Sequence, residues 1–290
     1  MADATDTPRA LRFACTRCGA CCNRSPEVLL SEAAPLANIF VFRLMFRLYA
    51  LPRTFAGSGA GGSAEAFYES KRLLAAFAAR SAPAKKEHGA KSAGRMTYLT
   101  ISALPLDTRP GVCSALEHGR CGIYERRPLA CRTVPFHYSR AEASAETDLA
   151  TFVARAGYAC DTGAEAPVVL AEGRIVDPGT RAARGEALEV SARDRRWQGA
   201  IVRRLRTGGD GLPSLAEIEA NAAFGMTTVS MAAAWRIAAE AGLIGADECG
   251  TLIGAQAGLI KRALAATDCA ADTRQTLIEM GGEYSQLLSA

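Results

Sequence analysis

The chain has 290 residues, 49% hydrophobic and 22% charged, which is enough apolar side chain for a sizeable core and excludes wholesale disorder. A net charge of +4 is too mild to mark a nucleic-acid binder. The ten cysteines follow an N-terminus, MADATDTPRALRF, without an apolar leader run. The expectation is a cytoplasmic chain, whose closely spaced thiols serve as metal ligands or redox groups rather than structural disulfides.

In chain order, a short tail leads into FACTRCGACCNRSPEVLL, where Cys15, Cys18, Cys21 and Cys22 fall within eight residues. A helical stretch is expected over 31–51. Its most apolar run, 36–51, is interrupted by Arg43 and Arg47 and is short for a membrane span, so it reads as a buried amphipathic helix with no membrane role. Gly57, Gly59 and Gly62 spell G-x-G-x-x-G, but no strand precedes them, and GSGAGGS reads as a flexible loop. Residues 64–80 carry apolar residues at helical spacing. Residues 81–95 form a polar, basic connector containing His88. MTYLTISALPL, 96–106, is rich in β-branched and aromatic residues and predicts a strand.

The second cysteine group follows, with Cys113, Cys121 and Cys131 spaced C-x7-C-x9-C and Cys160 further on. ETDLATFVARAG, 146–157, reads as a helix. PVVLAEGRIVD, 167–177, reads as a hairpin turning at Glu172-Gly173. From about 194 the pattern is helical to the end. Trp197, Ile201 and Leu205 share one face, with arginines opposite, and Ser214 with Glu217 can form a capping box. The arginine face of 193–206 reads as solvated, with docking of an acidic partner as the alternative. A faint helix-turn-helix pattern over 214–244 is set aside on charge. Residues 208–260 hold Arg236 against Asp210, Glu217, Glu219, Glu240, Asp247 and Glu248, whereas a phosphate-binding face is basic. The expected architecture is α+β, with a cysteine-rich metal-binding domain over 1–190 and an all-α region over 191–290.

The C-x2-C-x2-C spacing of Cys15, Cys18 and Cys21 lets a curled loop aim three thiolates at one centre. Gly19 relaxes the backbone between them. Cys22 cannot easily face the same point as Cys21, so Cys21 is expected to close the curl while Cys22 reaches towards the group at 113–131. Four thiolates around zinc or a [4Fe–4S] cluster carry about −2. Arg126, Arg127 and Arg132 bracket Cys131, and Arg17 and Arg24 flank the first group, so cations stand ready beside that charge; Arg127 and Arg132 are the expected cofactor contacts. Cys249 and Cys269 read as small buried hydrophobes. His137 and His118 read as core or surface residues, with ligation or proton transfer as the alternative for His137. No Ser-His-Asp order, zincin motif, Walker loop or paired-carboxylate signature stands out.

Phe13 through Cys22, Val28 to Ser31, and Gly119 through Phe136 together resemble the YkgJ-like cysteine-cluster family, described as a zinc- or iron-chelating domain. The resemblance covers about half the chain. It implies a metal or iron–sulfur centre on Cys15, Cys18, Cys21, Cys22, Cys113, Cys121 and Cys131. The paired cysteine groups are also similar to those of flagellin lysine-N-methylases, which implies an iron–sulfur cluster and, as one activity, methylation of a protein or peptide. The curl favours a cluster, since structural zinc prefers two separated C-x2-C knuckles. The alternative is a structural zinc module whose helical tail docks a partner.

Overall fold

The computed structural model describes residues 10–56, 63–83, 94–209, 211–221, 225–267 and 269–289. Gly57, Gly59, Gly62 and His88 lie outside the described residues.

The protein is α+β, and its sheets are antiparallel. A short strand, β1 (Ala10–Arg12), precedes the first cysteines. After two 3-10 turns, at Leu30–Glu32 and Ala34–Leu36, the chain enters the long strand β2 (Val41–Pro52). The helix expected over 36–51 is thus a strand. The side chains alternate: Phe42, Leu44 and Phe46 enter the main core, while Arg43, Arg47 and Tyr49 take the other face. Arg47 there lies 3.5 Å from Glu27, which also accepts a hydrogen bond from the Ser102 hydroxyl.

Helix α1 (Ala64–Phe77) is capped by Ser63 and runs directly into β3 (Ala78–Pro83), so part of the expected helix 64–80 and of the connector after it is strand. The predicted strand appears as β4 (Arg95–Leu106), paired along its whole length with β2. A hairpin, β5 (Leu116–Glu117) and β6 (Arg120–Cys121), turns through His118 and Gly119, both at positive φ. One helical turn, α2 (Leu129–Arg132), carries Cys131. Helix α3 (Ala145–Val153) is followed by the predicted hairpin, β7 (Val168–Ala171) and β8 (Arg174–Ile175), turning at Glu172-Gly173 with positive φ at both.

Helix α4 (Pro178–Thr207) spans 30 residues and runs straight through residue 190. Its first half places Ala183, Ala187 and Val190 against Leu29, Phe77, Leu129 and Tyr138. Its second half buries Trp197, Ile201 and Leu205 in the main core, where the Trp197 indole N–H donates to Ala234 O at 2.8 Å. Helix α5 (Leu215–Ala220) carries the Ser214/Glu217 capping box. The part beyond 190 is not wholly helical: β9 (Met226–Ser230) follows and pairs with β2. Its β-branched Thr227, Thr228 and Val229 suit a strand, and its place between α5 and α6 (Ala232–Glu240) removes the helix-turn-helix reading. Helices α7 (Ala246–Ala265) and α8 (Ala271–Ser289) complete the chain.

The sheet orders are β3-β4-β2-β9, β1-β7-β8 and β5-β6. Fully buried Trp235 of α6 and Tyr284 of α8 join the main core with Phe42 and Phe46. Gln256 of α7 is also fully buried. It accepts the Phe42 N–H at 2.7 Å and donates to Ala37 O and Phe40 O, fixing the entry to β2. Among the described residues no helix is long and apolar enough to cross a membrane.

Candidate metal centre

The first cysteine loop is held from both ends. At its start, Ala14 and Asp161 exchange backbone hydrogen bonds of 2.7 and 3.0 Å, which sets Cys15 beside Cys160. The Thr16 hydroxyl donates to Ala159 O at 2.8 Å, in the same strand-like contact. At its end, the Cys113 N–H donates to Cys22 O at 2.9 Å, tying the loop to the second group. Between these anchors Gly19 adopts φ +76°, and a Cβ there would stand 2.6 Å from Gly119 O of the β5-β6 turn. Only glycine permits this approach of the two cysteine loops.

All ten cysteines are free thiols. Eight of them form a continuous electrostatic group. Cys22 lies within reach of Cys21, Cys113 and Cys131; Cys131 of Cys113, Cys121 and Cys21; and Cys160 of Cys21, Cys15 and Cys18. The arrangement divides at the adjacent pair. Cys15, Cys18, Cys21 and Cys160 make one set, and Cys22, Cys113, Cys121 and Cys131 the other, with Cys21 also in reach of Cys131. Cys249 lies in α7, and Cys269 packs on the main core just before α8.

The sulfurs have unequal chemistry. Of the adjacent pair, Cys21 is favoured as the thiolate by its neighbour Cys22 despite burial, with its own N–H, Arg127 and Arg155 assisting. Cys22 is correspondingly raised by Cys21, and burial and the neighbouring thiols raise it further. Burial, then Cys113 and Cys121, pushes Cys131 up to about 12. Burial, then Cys21, Cys15 and Cys18, pushes Cys160 up to about 11. Burial also raises Cys113, against the Ala115 N–H and the Ser25 hydroxyl, whose oxygen lies 3.6 Å from its sulfur. Exposed Cys18 is lowered by the Ala20 and Ala159 N–H groups and the Thr16 hydroxyl. Neighbouring thiols thus disfavour ionisation of Cys22, Cys131 and Cys160, while Cys18 and Cys21 are held towards the thiolate.

The cationic border only partly follows the sequence. Arg127 lies in electrostatic reach of Cys21 and Cys131. Its guanidinium stacks 3.7 Å over the Tyr124 ring, and Arg17 stacks at the same distance on that ring. Arg132 instead turns to Glu186 of α4, at 2.8 Å. Arg155, outside both cysteine groups, serves Cys21 and was not legible in the motif. His137 lies apart from the thiols in a turn, where its Nδ1 accepts from the Ser139 N–H and lies 2.8 Å from the Ser139 hydroxyl.

The donor set suits a thiophilic centre in kind and number. Its spacing is open: among the described residues no three Cys, His, Asp or Glu side chains stand close enough to hold one ion together. Set against protein-family models, curated proteins and solved structures, the chain matches none.

Proposed function

We propose that the protein is a cysteine-ligated metal protein that binds an iron–sulfur cluster, preferably [4Fe–4S], and uses it for electron transfer or for modification of a protein or peptide substrate. What supports this reading is that eight free thiols from distant segments lie in electrostatic reach of one another around the Cys21–Cys22 pair. Four thiolates complete a cubane or a tetrahedral zinc site, so either set has the ligand number required. A cluster supplies a reversible one-electron store.

In this proposal Cys15, Cys18, Cys21 and Cys160 hold one centre and Cys22, Cys113, Cys121 and Cys131 a second. Arg127 and Arg155 offset the negative charge of the ligated thiolates, as they already favour the Cys21 thiolate. The glycine contact keeps the two loops in register, and the Cys113–Cys22 backbone bond sets their separation. Because the sulfurs are spread, ligation draws the 15–22 loop inwards, so metal binding and final ordering of this loop are one event. The main core takes in Cys113, with Cys22 and Cys121 packed against it, whereas Cys15 and Cys160 pack on the smaller cluster around Phe13 and Phe136.

The second reading is a structural zinc module with the arginines of α4 as a docking face. It draws on the exposed Arg193, Arg195, Arg196, Arg203 and Arg206 of that helix. Anaerobic purification followed by iron, zinc and acid-labile sulfide analysis, with a visible spectrum, separates the two. Brown protein with iron and sulfide in similar amounts is the expected result. Colourless protein with one or two zinc ions sustains the second reading, and protein without either metal overturns both.

A further inference from the structure

The single turn that carries Cys131 cannot sustain itself. Helix α2 has four residues, far short of the length at which a helix is stable alone, and its N-cap, Pro128, supplies no side-chain acceptor. The orphan N–H of Leu129 is satisfied from elsewhere: it donates to Glu32 Oε1 at 2.8 Å. The other oxygen, Oε2, accepts the Leu29 N–H at 3.0 Å. One carboxylate thereby joins the backbone after the first cysteine loop to the backbone just before Cys131. Leu29 and Leu129 pack in the same core cluster, so the clamp sits over apolar contact.

Helix α4 supports this clamp from the other side. Asp194, only 3% exposed, accepts the Ser31 N–H at 3.2 Å and so holds the turn that presents Glu32. Glu186 of the same helix pairs with Arg132, the residue after Cys131. Burial raises both Glu32 and Asp194, and the hydrogen bonds from Leu129 and Leu29 oppose that effect on Glu32. Two carboxyls kept inside at this cost, each on backbone donors, mark a connection that apolar packing alone does not supply.

We infer that Glu32 is a positioning residue of the thiol group: its carboxylate, backed by Asp194 of α4, clamps the N-terminus of α2 and so holds Cys131 among Cys113, Cys121 and Cys21. The inference deepens the metal-centre reading and takes from it the role of Cys131. It also ties the long helix to the thiols, so that movement of α4 reaches Cys131 through two hydrogen-bonded carboxylates. A glutamine cannot replace the clamp. Its one carbonyl oxygen satisfies one N–H, and its amide nitrogen faces the second donor to donor.

The test uses the full, reduced, metal-free chain and N-ethylmaleimide as probe, with modification read thiol by thiol by peptide mass spectrometry. In Glu32→Gln the Cys131 rate is expected to rise about tenfold or more, the weight of one hydrogen bond to a charged group. The Cys249 rate should change less than about twofold, since that thiol is distant from the clamp. An unchanged Cys131 rate, or an equal rise at every thiol, overturns the inference. Should the variant fail to fold, amide exchange in the unaltered chain decides: a protected Leu129 amide supports the clamp, and exchange as fast as in an open loop removes it. Metal and sulfide analysis of both proteins as purified, before the metal is removed, is a separate readout, so loss of the metal reading and loss of the clamp are distinguishable.

Discussion

At the scale of single residues, two positions make sharp demands. Gly19 and Gly119 both have positive φ, yet only at Gly19 would a Cβ strike backbone, while at Gly119 it meets nothing within 4 Å. Gly19→Ala is therefore expected to cost about 2 kcal/mol or more and Gly119→Ala about 1 kcal/mol, by urea unfolding with m unchanged. Equal losses would mean that the loops do not meet there. His137 provides the pH dependence. Burial first, then Arg140, Arg184 and Arg47, lowers its imidazole to about 4. The unfolded chain takes up a proton here as pH falls below about 6.5, and the folded chain does not until about 4, so the contribution of His137 to stability is complete above that window and lost through it. The loss is about 3 kcal/mol, measured by unfolding across the range, and His137→Gln should flatten the slope. A slope unaltered in that variant would place the titration elsewhere.

At the scale of elements, legibility in the sequence depended on whether the signal was local. Strand β4, the β7-β8 hairpin, the buried face of α4 and the Ser214 cap all carry their cause within a few residues, and all were readable. Strand β2 was not, because Arg43 and Arg47 are four apart. That spacing returns to the same side in a helix of period 3.6 and in a strand of period 2, so it does not discriminate. The alternation of Phe42, Leu44, Phe46 and Leu48 against Arg43, Arg47 and Tyr49, broken only by Met45, was the better signal. Strand β9 is short and flanked by alanine-rich helix, and it is a strand because the β2 edge is there to pair with it. Spacing picked out the two cysteine-bearing loops, and the structure ties them together through the Cys113–Cys22 backbone bond. Glu32 and Arg155 were not, since each meets its partner across a distant segment. Gln256 is likewise a long-range device, joining α7 to the start of β2. Gln256→Ala leaves three buried backbone groups unpaired and is expected to cost about 3–5 kcal/mol by denaturant unfolding; a loss below about 1 kcal/mol would show that water replaces the amide.

At the scale of the whole molecule, the thiol group and the helical part share elements. Helix α4 packs beside α2 at one end and into the main core at the other, and β9 completes the sheet that β2 and β4 begin. A chain cut after residue 190 loses Trp197, Ile201, Leu205 and β9 together. It is expected to give a poorly dispersed amide NMR spectrum and no cooperative unfolding, whereas a well-dispersed spectrum would show that the N-terminal part folds alone. The cysteines thus stand on a scaffold that the helical part helps to build, and α4 meets it beside the thiols through the Asp194–Ser31 bond and the Glu186–Arg132 pair. The claim on which the rest depends is that the eight assembled thiols ligate metal. X-ray absorption at the metal edge of anaerobically purified protein tests it most directly. Iron with a first shell of sulfur alone and a second shell of iron is the expected result. A first shell of nitrogen or oxygen, or protein that retains no metal, would contradict it.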